Sequence, residues 1–124
     1  MRALKMQRLT ANETSKAFMV HRVSIGKEPD TFDLDGRCVE GTLTPGDRFV
    51  GLYLTEVDKD GRTSSAHLLA EVDLVVVMLF AYGKVRKRLE QAMTGRVTVR
   101  RMKGESPIPD VLLRTDHISL GANV

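Results

Sequence analysis

The sequence predicts an all-β fold, a barrel or sandwich of six or more short strands, and three observations carry that prediction. Apolar residues alternate with polar ones at period two far more often than they recur at helical spacing. Glycine, proline and aspartate cluster between the apolar runs, in "GKEPD", "GTLTPGD", "VDKDG" and "KGESPIPD", where they punctuate the chain. The 124 residues, 42% apolar and 28% charged, suffice for one domain with a core that needs no covalent staple.

Residues 1–16 read as a leader, either a frayed helix with Leu4 and Leu9 on neighbouring turns or a mobile segment. Regular structure is expected from Ala17, where "AFMVHRVSI" places Phe18, Val20, Val23 and Ile25 in a strand. Gly26 and Pro29 then make a loop. In "TFDLDGRCVEGTL", Phe32 and Leu34 point one way and Asp33 and Asp35 the other, as in a half-buried strand. Gly36 predicts a bulge or sharp bend there. Pro45 presets the second position of a reverse turn and Gly46 supplies the positive φ that a type II turn needs next. Asp47 is placed to tie that turn down. Phe49 to Leu54 resume a strand.

Asp60 and Gly61 predict a hairpin turn. Asp58, Asp60 and Gly61 do not match a calcium loop, which needs three ligand positions before its glycine and a closing glutamate. The most apolar stretch, "AHLLAEVDLVVVMLFAY", favours from Val72 onward a central strand buried on both faces, or one passing between layers. Its beginning, "AHLLAEV", is compatible with a helix capped by Ser64 or Ser65. Val85, Leu89, Ala92 and Met93 stand at helical spacing, giving a short helical turn or a structured loop that Gly95 ends. Val97 and Val99 alternate with Thr98 and Arg100 as a strand. Pro107 and Pro109 make a rigid turn, Val111 to Thr115 a closing strand, and residues 116–124 a tail.

Composition restricts the function classes. The one cysteine, Cys38, excludes an internal disulfide and suits a reducing compartment, as a small buried hydrophobe or a reactive thiol. The longest apolar run, Leu74 to Ala81, falls short of the about 20 residues that cross a bilayer, and the basic start lacks the apolar block of a secretory signal. A cytoplasmic protein with no membrane partner is expected.

Between Gly41 and Phe49 the chain resembles the second, barrel domain of translation GTPases. That family carries a segment of the form G-x-(I/L)-x-x-G-D-x-(V/F), which stands here as Gly41, Leu43, Gly46, Asp47 and Phe49. Gly36-Arg37 falls where the family has a "TGRV" strand. "AFMVHRVSI" looks like its first strand, and Thr94-Gly95-Arg96 sits at the turn before a later one, with Arg96 where the family has an acid. The resemblance spans about Ala17 to Thr115. It implies an antiparallel β-barrel of six or seven strands over residues 17–115, with at most a short helix, and a role against RNA or the ribosome.

No catalytic, cofactor or metal site is nominated by the residues. The chain lacks the G-x-x-x-x-G-K-[ST] loop that cradles nucleotide phosphates, so no GTPase activity is expected. His21, His67 and His117 lie too far apart for a metal-ligand pair. Ser64 and Ser65 lack a nucleophile elbow, and Asp33 and Asp35 read as the solvated face of a strand. The feature that stands out is charge. Between Lys84 and Lys103 eight basic residues face one acid, giving that segment +7 against +3 for the whole chain, so the remainder carries −4. Lys84, Arg86, Lys87 and Arg88 form one run, and Arg100, Arg101 and Lys103 a second. The expectation is that the fold returns the second run beside the first, making one nucleic-acid-binding patch. Phe80 and Tyr82 are the only nearby aromatics, so recognition of the RNA backbone or shape fits better than a stacking platform. The alternative is a protein-interaction or regulatory adaptor that uses its strand edges and the leader.

Overall fold

Period-two alternation becomes seven strands in the computed structural model, which describes residues 15–57, 59–60 and 63–116. Leader residues 1–14, Asp58 and Gly61 of the hairpin turn, and His117 with the rest of the tail lie outside the described residues. The strands are β1 (Ala17–Ile25), β2 (Thr31–Glu40), β3 (Arg48–Val57), β4 (Thr63–Ala81), β5 (Lys84–Arg86), β6 (Thr94–Gly104) and β7 (Val111–Arg114). Every pairing is antiparallel.

The order β3-β7-β1-β2-β6-β4, with β3 and β4 also paired, closes six strands into a ring, and β5 hangs outside it on β4. Closure removes the unpaired backbone edges that an open sheet would expose. Alternate residues point inward: Phe18 and Val20, Leu34 and Cys38, Val97 and Val99 are all buried, with Leu52, Leu74, Leu79 and Leu113 completing the interior. One end is stoppered by Leu43 and Leu89, which form an isolated bridge with both backbone hydrogen bonds at 2.9 Å.

The turn at Thr44–Asp47 is of type II. Asp47 N–H donates to the Thr44 carbonyl at 3.2 Å, and Gly46 has φ 99°. The Asp47 carboxylate accepts from the Thr44 backbone N–H and from Lys16 Nζ, each at 2.8 Å. Gly46 N–H donates to the Val76 carbonyl, and Val76 N–H to that of Asp47. The turn is thereby welded to the middle of β4.

One expectation changes and two open alternatives are decided. Gly36 is not itself a bulge. The extra residue is His21 on β1, between the pairs Val20–Gly36 and Arg22–Asp35. A Cβ on Gly36 would collide with the Met19 carbonyl oxygen, so glycine is there to let β1 approach. "AHLLAEV" is strand, because β4 runs unbroken for 19 residues and its first half pairs with β3. Tertiary pairing outweighs a weak helical pattern there. The segment after β5 is a structured loop and not a helical turn: Cys38 and Leu43 hold its backbone from outside. No helix occurs among the described residues, and none is long and apolar enough to cross a membrane.

Candidate nucleic-acid interface

The two basic runs stand at opposite ends of the same sheet. Lys84 pairs with Ala81 and Arg86 with Leu79, whereas Arg100, Arg101 and Lys103 pair with Val75, Leu74 and Asp73. Leu79 and Val75 are four residues apart, and Ala81 and Asp73 eight, on a strand that rises about 3.3 Å per residue, so the runs are separated by roughly 13 to 26 Å. The expected single patch is therefore two poles. β6 runs antiparallel to β4, and the residues following Gly95 travel away from the hairpin rather than back to it.

Some of these side chains are already engaged. Arg88 pairs with Glu90 at 3.2 Å. Arg101 meets Asp30 at 3.0 Å and Ser106 at 2.8 Å, and its backbone N–H donates to the Asp30 carbonyl. Its work is to dock the β1–β2 turn on β6. Arg86 lies over the Tyr82 ring at 5.6 Å, at a turn where Tyr82 and Gly83 both take positive φ. Lys84, Lys87, Arg100 and Lys103 are exposed.

Through the hairpin pole runs a row across the sheet that single-sequence reading missed. Cross-strand register aligns Arg22, Asp35, Arg96, Phe80 and Val85 across β1, β2, β6, β4 and β5, all on the outer face. Arg37 pairs two residues further on, with Thr94. Arg96 Nε donates to Asp35 at 2.8 Å, and that hydrogen bond raises its pKa. Thr98 donates to Asp33 at 2.7 Å. The two aspartates thus fix neighbours on the solvated face. Alternation with buried Cys38 puts Arg37 outward, whereas Arg22 shares the phase of Phe18 and Val20 and turns outward only because His21 bulges; register then sets both in relation to Arg96.

Cys38 is fully buried. Burial raises its thiol pKa, which disfavours the nucleophilic thiolate. His21 and His67 are both exposed, and among the described residues no three His, Cys, Asp or Glu side chains converge to hold a metal ion.

Fold and surface together define a class: a small closed antiparallel barrel with a mixed cationic and apolar outer face. Compared with known proteins, the chain matches no protein-family model and no curated protein sequence.

Proposed function

We propose that this protein is a non-enzymatic binding module of the translation-factor barrel type, which engages RNA or the ribosome through the outer face of β1, β2, β6, β4 and β5. The observation that carries the reading is the set of exposed cations Arg22, Arg37 and Arg100 on that face, beside an exposed Phe80, with Lys84 and Lys87 exposed on the adjoining hairpin. Such cations neutralise phosphates and release counterions, giving salt-sensitive affinity with little sequence preference. The order of turn and strand motifs from Ala17 to Thr115 supports the same reading, and a cytoplasmic location goes with it.

RNA gel shifts and heparin retention across a salt series test this. Replacing Arg22, Arg37, Lys84, Lys87 and Arg100 with alanine should flatten the slope of log affinity against log salt by about 0.7 for each single-strand phosphate that is no longer neutralised. Unchanged binding overturns the assignment. A protein-adaptor role is favoured by a different observation, the exposed Leu54, Leu68 and Leu69 on the β3–β4 hairpin. A partner that persists after nuclease treatment, and is lost with Leu68→Asp, would establish it.

A further inference from the structure

The outer face between the two basic poles is hollow. A groove of about 500 Å³ lies over β2, β6 and β4, within the roughly 300–1,000 Å³ range of small-molecule sites. Its floor is apolar, made by Val77, Met78 and Phe80, which remain 37%, 41% and 39% exposed. Val77 reaches this face because β4 bulges between Val76 and Met78, so two consecutive residues are presented outward where a regular strand would present one.

The groove's rim is preorganised. Thr98 is held on Asp33 and Arg96 on Asp35. The wall formed by the β1–β2 turn is fixed from two sides: Arg101 grips Asp30, and the Thr31 hydroxyl donates to the Glu28 carbonyl at 2.6 Å. At the end near Thr31, Arg100, Lys27 and Glu28 line the opening, and neither the Arg100 nor the Lys27 side chain makes a hydrogen bond or ion pair with another described residue. Two unengaged cations above an apolar floor, outnumbering the one carboxylate of Glu28 beside them, are complementary to one kind of molecule, a body of hydrocarbon with a single negative head.

We propose that this groove binds a small amphiphilic carboxylate. The hydrocarbon body lies on Val77, Met78 and Phe80, and the carboxylate is received by Arg100 with Lys27 beside it. This goes beyond the RNA reading, because Lys84, Lys87, Arg22 and Arg37 take no part in it. Occupancy would also cover Phe80 and neutralise Arg100, so ligand and RNA should compete for part of the same face.

The probe is decanoate, titrated into the full chain and followed by amide and methyl chemical shifts, with decanol as the uncharged comparison. The expected result is a saturable shift confined to Val77, Met78, Phe80 and Thr98. Arg100→Glu should weaken it about tenfold or more, the loss that follows when a paired charge is reversed. Lys103→Glu, outside the groove, should change it less than about twofold. Thermal unfolding of each variant shows whether the fold is kept. Where Arg100→Glu fails to fold, Val77→Asp supplies the same test from the floor. Shifts that never saturate, that spread across the barrel, or that decanol reproduces equally overturn the proposal. The RNA reading stands or falls separately: decanoate binding retained by Arg37→Ala, a variant defective only toward RNA, sustains the groove, and its absence from the wild-type chain overturns the groove whatever RNA does.

Discussion

Ala92 holds φ at 77°, a left-handed conformation that costs an ordinary L-residue roughly 1–2 kcal/mol. Its N–H donates to the Cys38 carbonyl at 2.7 Å, so the conformation is imposed by docking the loop under β2. Ala92 is exposed, and glycine relieves the strain without disturbing its neighbours. Ala92→Gly should raise stability by about 0.5–1 kcal/mol in urea unfolding, part of the relief being offset by glycine's greater unfolded-state entropy. Gly36→Ala should act in the opposite direction. The added methyl meets the Met19 backbone and the Phe18 ring, neither of which can move without parting β1 from β2. A loss of about 2–3 kcal/mol is expected from the same measurement. The need for glycine at position 36 was legible as a break in strand alternation. Its cause was not, since the colliding carbonyl belongs to another strand. The same limit hid Arg22 and Arg37, whose relation to Arg96 is set by register.

The turn at Thr44–Asp47 is the element in which sequence and structure agree most closely, because each requirement is local. Proline and glycine set adjacent backbone angles, and aspartate reaches back three residues. The partner contributed from outside is Lys16, whose ammonium and the Asp47 carboxylate are both 20% exposed. Asp47→Ala removes the acceptor for the Thr44 N–H as well as the ion pair, so a loss of about 1–2 kcal/mol is expected, with Asp47→Asn recovering part of it. A full-sized loss in Asp47→Asn would show that the Lys16 charge, and not the turn, carries the effect. β4 shows the reverse case. Its second half was legible from a dense apolar run, but its first half looks helical in isolation, and only the long pairing with β3 decides it. Likewise, Leu89 and Met93 stand at helical spacing because they plug the barrel end from a loop, not because a helix presents them. The two basic runs were legible as composition, while their separation depends on the direction of β6, which no local pattern records.

At the scale of the molecule, closure depends on the shortest strand of the ring. β7 has four residues, yet it pairs with β1 through Ala17–Val20 and with β3 through Gly51–Tyr53. Those two strands join through β7 alone. Without it the barrel is a six-stranded sheet with two bare edges, counting β5, and the turn and hairpin pairings among β2, β6, β4 and β3 can still form. β7 is also last in the described sequence, and its pairing with Ala17 spans nearly the whole chain, so the loop-closure cost is greatest there. Docking of β7 should therefore follow the main folding barrier. Leu113, fully buried and opposite both Phe18 and Leu52, probes this. Leu113→Ala should cost about 2–4 kcal/mol at equilibrium. Stopped-flow kinetics should place most of that loss in faster unfolding, with refolding nearly unchanged. If refolding instead slows by most of the equilibrium loss, β7 belongs to the nucleus and closure precedes the barrier.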